Sequence, residues 1–229
     1  MAPVAAATLP SPLFADIAQH DIDAILQCAR MMRCPAGQTL FRQGDPARRC
    51  FMVIEGRLKL SQLHEQGKEA LIRYVGPGET TAALALFKDR TYPLTARAVA
   101  DTRTAAWDKA ALEHLLDRHP RLARNLLRMA LDRLEEIQTR YLELRTEQVE
   151  RRIARALLRI MQHAGRHTTG GVTIDLPLSR QELADYSGTT LYTASRTLSG
   201  WEKKGWIRSG RERIVIADPH ALVLFSETP

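Results

Sequence analysis

The stretch Leu178–Arg208, LSRQELADYSGTTLYTASRTLSGWEKKGWIR, decides the architecture of this chain. Ser179 followed three places later by Glu182 is a capping box, in which each side chain bonds the other residue's backbone N–H, so a helix is expected from Arg180. Leu183 and Ala184 are its inward residues, and Gly188 ends it where the chain needs a left-handed conformation. A second helix is expected from Thr190 or Leu191 to Lys204, with Ala194 and Leu198 on its buried side and Gly205 as its stop. Alanine at the crossing lets two helices approach closely, and glycine takes the positive φ of the turn. A helix-turn-helix needs both in that order, and a generic helical hairpin does not. Downstream, Trp206–Ser209 and Ile214–Ile216 read as two short strands around Gly210. They make a wing that carries Arg208, Arg211 and Arg213.

In such a motif the second helix lies in the major groove with its N-terminal residues at base edges. Those residues are Thr190, Tyr192, Thr193, Ser195 and Arg196, with Thr189 beside them. Arginine gives a bidentate contact to guanine O6 and N7, serine bonds either base type, and a tyrosine ring suits a thymine methyl or a phosphate. Arg180, Gln181, Lys203, Lys204, Arg208, Arg211 and Arg213 are expected to contact phosphates, which set position rather than sequence. From Glu150 onward the chain holds twelve Lys and Arg against eight Asp and Glu, a balance that suits such a partner.

Upstream lies a helical region with one proline, Pro120, and no glycine between Lys109 and Gly165. Ala123, Leu127, Ala130, Leu134, Ile137, Tyr141 and Leu144 alternate at spacings of four and three, flanked by charged residues such as Arg133, Glu136 and Arg140. That is the a/d repeat of a helix-to-helix seam, narrower and longer than the stripe of a helix lying on its own domain. A homodimer is expected, and with it an inverted-repeat DNA site whose half-sites lie about one helical turn apart. A further helix, Val149–His163, and a short strand, Val172–Leu176, lead into the helix-turn-helix.

The N-terminal half has another texture. Gly and Pro punctuate Pro35–Ala110, and between them lie β-like runs at Cys50–Ile54, Arg57–Leu63, Ala70–Val75, Leu94–Ala100 and Thr104–Trp107. Short strands at regular spacing predict a β-sandwich or barrel, with Leu13–Met32 as one or two short helices outside it. The fold class is therefore α+β, in three parts: a β-roll (double-stranded β-helix) with flanking helices over 1–110, a dimerisation helix region over 111–147, and a winged helix-turn-helix over 148–229.

The chain has 229 residues and a formal net charge of +7, which favours an anionic partner. The longest apolar run, Ala82–Phe87, is too short to cross a bilayer, so no membrane partner is expected. Met1–Leu13 lacks the basic-then-apolar pattern of a secretory signal, and three widely spaced cysteines (Cys28, Cys34, Cys50) argue against a disulfide framework. A reducing cytoplasm is the expected compartment. His64 is the roll's one histidine, with Glu65 beside it, so a cupin-like metalloenzyme, which needs two or three histidines, is the remote alternative. No catalytic motif is found, and the chain is expected not to be an enzyme.

FRQGDPARRCFMVIEGRLKL (Phe41–Leu60) and LSRQELADYSGTTLYTASRTL (Leu178–Leu198) together resemble the CRP/FNR superfamily of bacterial transcription regulators, over about Phe14–Leu222. The resemblance implies a cyclic-nucleotide-binding-like roll that holds an effector, a dimer helix that relays its presence, and contact with RNA polymerase. It also brings departures. The Gly-Glu and Arg-Ser pairs of cyclic-AMP binders match Ala82–Ala83 and Leu94–Thr95 here, and their adenine-contacting Thr-Ser matches Ile137–Gln138, so cyclic AMP is not expected as effector. The oxygen-sensing branch needs four cysteines for its iron–sulfur cluster, and three are present. That branch's outward Glu on the reading helix is Tyr192 here, while its Ser-Arg is kept as Ser195 and Arg196.

The head GTTLYTASRTLSGWE (Gly188–Glu202) is similar to the NnrR-like and DNR-like nitrogen-oxide-responsive branch. This implies an activator of denitrification-type genes that senses nitric oxide, with haem as the proposed sensor group and His20 and His64 as candidate ligands. The alternative is a regulator with no effector or one governed by cysteine oxidation, suggested by Arg30, Arg33, Arg48 and Arg49 near the cysteines.

Overall fold

The computed structural model describes residues 10–63, 67, 69–88, 90–174, 176–210 and 213–227, with the backbone alone at 213. His64 and Arg211 therefore lie outside the described residues. The chain divides into two compact units, one formed by the chain up to Leu63 with Val75–Glu136, the other by His64–Tyr74 with Ile137–Pro229.

After a 3-10 turn at Pro12–Phe14, the elements run α1 (Gln19–Gln27), β1 (Arg30–Cys34), β2 (Thr39–Phe41), β3 (Arg49–Glu55), β4 (Leu58–Leu63), β5 (Glu69–Val75), β6 (Thr80–Thr81), α2 (Ala83–Phe87), β7 (Thr95–Ala98), β8 (Thr102–Asp108) and α3 (Lys109–Arg118). The strands form two sheets, ordered β1-β8-β3-β6 and β2-β7-β4-β5.

Alternation along β3 explains the layers. Phe51 and Val53 point into a core shared with Phe41, Leu58, Leu60, Ala96 and Ala98 from the facing sheet. Cys50 and Met52 point the other way, onto Ile25, Trp107, Leu112, Leu115 and Leu122. A strand covered on both faces reads as an unbroken apolar run, which is why Cys50–Ile54 was legible. Leu58 and Leu60 of β4 are buried on either side of half-buried Lys59, as expected of a half-buried strand, but Ser61 is buried as well and the alternation ends there.

Inside the sandwich Phe41 stacks on Tyr92 (centroids 4.1 Å apart) and on Phe51 (5.4 Å). The Tyr92 hydroxyl accepts from the backbone N–H groups of Arg48 and Arg49 and donates to Arg49 O, so its polar end is satisfied where its ring is buried. Ala82 sits at φ 68°, a left-handed conformation that costs a non-glycine residue about 1–2 kcal/mol.

One expectation needs correction. Leu13–Met32 is not wholly helical: α1 stops at Gln27, and Met31 and Met32 belong to β1, which pairs antiparallel with β8. The helical region that contains Pro120 holds two helices. Pro120 disfavours a helical His119, whose backbone is non-helical (φ −124°, ψ 78°), so α3 stops at Arg118 and α4 (Pro120–Thr146) starts with proline, whose missing N–H costs nothing at that position.

The remaining elements are α5 (Val149–Ala164), β9 (Gly165–Thr168), β10 (Gly171–Ile174), α6 (Arg180–Ser187), α7 (Leu191–Lys203), β11 (Ile207–Gly210), β12 (Arg213–Ile216) and α8 (Pro219–Glu227). One sheet, ordered β11-β12-β10-β9, joins the wing to the strands before the helix-turn-helix. β9 was not foreseen. Gly165–Thr168, just past the expected end of the Val149–His163 helix, forms the outer strand of a hairpin with β10, and all four of its residues are exposed. No helix among the described residues is long and apolar enough to cross a membrane.

Candidate nucleic-acid interface

The capping box forms as read: Ser179 Oγ accepts from Glu182 N, and Glu182 Oε2 accepts from Ser179 N at 2.8 Å. Gly188 ends α6 at φ 65°, and a Cβ there would collide with the side chain of Leu144. The left-handed backbone is what requires glycine here, since the Leu144 atom in the way is the tip of a flexible side chain that can turn aside. Thr190 then caps α7 by accepting from Thr193 N at 3.2 Å. Ala194 and Leu198 are fully buried beneath the helix, as expected, with Thr197 and Trp201 beside them.

This packing leaves one face of α7 outward. Tyr192 is 73% exposed, Thr190 and Arg196 are exposed, and Thr189, Thr193 and Ser195 are half-buried. Arg196 Cζ lies 5.9 Å from the centre of the Tyr192 ring, one helical turn away, so the ring faces the arginine before any base does. Leu191, exposed in the first turn, adds an apolar group that the sequence reading left out.

The expected phosphate contacts are not equally available. Lys203 and Lys204 are exposed at the end of α7, and Lys204 Nζ lies 4.6 Å from the Trp206 ring. Arg208 is exposed and donates to Gly170 O at 2.6 Å. Gln181 donates to Asp185 (2.9 Å). Arg180 is the least free: it donates to Ser209 Oγ (3.1 Å) and lies 3.7 Å from Glu202, tying α6 to the wing. Arg213 lies in β12.

Behind the turn is a group that sequence reasoning missed. Arg140 of α4 donates to Tyr186 O, and Arg152 of α5 donates to Ser187 O and Gly188 O. In sequence Arg140 reads as part of the charged flank of the apolar repeat, and Arg152 carries no assigned role.

The residues expected to form a seam on α4 are mostly exposed in the single chain. Leu127, Leu134, Ile137, Tyr141 and Leu144 are each 50–61% exposed, Ala123 is exposed and Ala130 half-buried, with Leu131 and Leu142 exposed alongside.

The effector candidates fare less evenly. His20 is 82% exposed and faces Asp21 at 3.5 Å. An apolar void of about 20 Å³ lies among Leu13, Ile25, Cys50, Trp107, Leu112 and Leu122, room for one water and not for a porphyrin. Among the described residues no three His, Cys, Asp or Glu side chains gather as metal ligands would. Cys34 and Cys50 are buried and Cys28 is exposed. Burial pushes the Cys50 thiol up to about 12, outweighing backbone hydrogen bonds from Trp107 and Cys50, and burial likewise raises Cys34. A raised thiol favours the folded state below the ordinary thiol pKa of about 9, and this contribution fades as pH climbs towards about 12. A disulfide-exchange thiol reagent at pH 7.5 should therefore titrate one cysteine rapidly, Cys28, and the other two only on unfolding. Rapid reaction of all three would contradict the burial.

Comparison with known proteins places this geometry. A cyclic nucleotide-binding domain model matches residues 31–119, and a Crp-like helix-turn-helix domain model matches residues 151–225. The cyclic AMP receptor protein of Thermus thermophilus is 30% identical over 87% of this chain and 89% of its own. The chain belongs to the CRP/FNR family of transcription regulators. A second CRP/FNR relative, the transcriptional activator protein FnrL of Cereibacter sphaeroides, is 30% identical over 80% of this chain and 75% of its own. Among solved structures, the c-di-GMP responsive global regulator CLP of Xanthomonas campestris superposes with a TM-score of 0.73 at 25% identity, covering 87% of this chain and 99% of that one. In this CRP/FNR regulator the first match spans both sheets of the sandwich, and the second spans α6, α7 and both wing strands. The protein is a DNA-binding transcription regulator, and its domains and relatives are those of regulators, not enzymes.

Proposed function

We propose that the protein is a cytoplasmic homodimer that activates transcription by reading an inverted DNA repeat with one α7 from each protomer. Residues 1–110 act as the sensor part, 111–147 as the dimerisation region and 148–229 as the DNA-binding part. The observation that carries the reading is the outward face of α7, where Tyr192 and Arg196 stand exposed over a helix whose other side is fully packed. Thr190, Thr193 and Ser195 complete the base-reading set. Lys203, Lys204, Arg208, Arg211 and Arg213 hold phosphates, and Gln181 and Arg180 assist from α6. RNA polymerase is the further partner that the family implies.

Cyclic AMP does not command the switch in this reading. Ala82 and Ala83 offer no carboxylate for a ribose hydroxyl, and the stacked rings of Phe41, Phe51 and Tyr92 fill the interior of the sandwich. Saturating cyclic AMP is expected to leave the affinity for the inverted repeat within a factor of about two; a gain of tenfold or more would overturn this part of the reading.

Response to nitric oxide, and with it control of denitrification-type genes, rests on the head sequence Gly188–Glu202 alone. His20, at the surface, is the described candidate for a haem ligand. Titration with haemin, followed by nitric oxide, tests it. A saturable Soret band of one haem per chain, shifted by nitric oxide and lost in His20→Ala or His64→Ala, supports the sensor; no saturable band removes haem from the account and leaves the DNA reading in place. Cysteine control is the weaker alternative, since Cys34 and Cys50 are buried with raised thiols.

A further inference from the structure

We propose that Arg140, on the helix that carries the dimer seam, is a positioning residue for DNA reading, acting through the turn of the helix-turn-helix and not on the duplex. The inference rests on the DNA reading proposed above. A helix leaves its last carbonyls without intrahelical partners, and α6 ends in the turn that fixes the entry of α7. The carbonyls of Tyr186, Ser187 and Gly188 all accept from guanidinium groups: Arg140 Nη2 at 3.2 Å, Arg152 Nε at 3.1 Å and Arg152 Nη2 at 2.9 Å. Positive charge at a helix C-terminus also meets the negative end of the helix dipole.

Arg140 is the more telling of the two. Its guanidinium lies 4.1 Å from the centre of the Tyr186 ring, and its other terminal nitrogen donates to Ile72 O of β5 at 3.3 Å. One side chain thus joins β5, the seam helix and the helix-turn-helix turn.

The surroundings hold Arg140's helix in place. Glu143, one turn further on, is 6% exposed; it accepts from Arg155 at 3.4 Å and from Arg159. Arg155 in turn donates to Ser226 O of α8 and pairs with Glu147 at 3.0 Å. Leu144 fills the space above Gly188. The last turns of α4 are therefore bonded directly to α5 and α6, and to α8 only by way of Arg155, and between Gly188 and the Thr190 cap of α7 there is one residue. A small rotation of the turn is carried to Tyr192 and Arg196, and base-edge hydrogen bonds fail with shifts that phosphate contacts tolerate.

The test uses full-length parent, Arg140→Ala and Arg140→Lys, with two duplexes: one enriched by the parent from a random pool, and an unrelated duplex of equal length, each over a range of salt. Sedimentation and thermal unfolding confirm dimer and fold. Arg140→Ala is expected to lose roughly tenfold or more on the enriched duplex, with its affinity for the unrelated duplex and its salt slope kept. Arg140→Lys is expected to fall between, since an ammonium cannot serve two carbonyls and a ring in the planar way of a guanidinium. Parent-like binding of the enriched duplex by Arg140→Ala overturns the proposal. So does equal loss on both duplexes with a slope reduced by about one, which marks a phosphate contact. Should the alanine variant not fold, parent-like specific binding by the lysine variant overturns it. A parent that enriches no sequence overturns the DNA reading and this inference together.

Discussion

Replacing Leu134 and Ile137 together by glutamate is expected to convert the protein to a monomer in sedimentation. Both side chains are 50% exposed in the single chain, so their folded environment loses little when they become polar. In a paired seam the same change sets two carboxylates per protomer against apolar neighbours and against each other. Burying unpaired charge costs several kcal/mol per group, more than a seam of about three heptads tolerates. Circular dichroism and the thermal transition should remain those of a folded chain. Affinity for the inverted repeat should fall by at least ~100-fold, because two half-sites are then bound independently and the effective concentration that linkage supplies is lost. An unshifted dimer would show that α4 is not the seam and that its exposed leucines cover something else.

The second large effect is expected at Arg196. Arg196→Ala should cost about 1–3 kcal/mol and relax the requirement for guanine at one position of each half-site, since a bidentate contact is removed and nothing else on the face replaces it. Its neighbour Tyr192 sharpens the expectation: the ring that faces Arg196 holds the guanidinium near the N-terminal end of α7. Lys203→Ala provides the contrast. There the loss should be nearly uniform across sequences, and the dependence on salt should weaken by about one unit of slope. If Arg196→Ala binds the repeat as tightly and as selectively as the parent, the reading face has been assigned to the wrong side of α7.

Much of this was legible in the residues because the signals are local. Ser179 and Glu182 lie three residues apart, Gly188 marks its turn by chemistry, and the apolar repeat that lies on α4 recurs every three or four residues, so each needs no knowledge of distant chain. What was missed depends on distant partners. Met31 and Met32 are held in a strand by pairing with Ala105 and Thr104 of β8, far along the chain. Arg140 reads as a solvated charge until α6 brings Tyr186 O to it. Arg180 looks free for phosphate until α7 presents Glu202 and the wing presents Ser209. The interior of the β-sandwich was the least legible: nothing in sequence signals that Tyr92 stacks on Phe41 there.

The most direct test of the account is selection of duplexes from a random pool by the purified full-length protein, followed by affinity measurement on the enriched sequence. The account predicts an inverted repeat bound by one dimer, with half-site centres about one helical turn apart, a guanine fixed in each half-site, and an affinity lost steeply as salt rises. Enrichment of no sequence, or of a lone half-site bound by one chain, would contradict it.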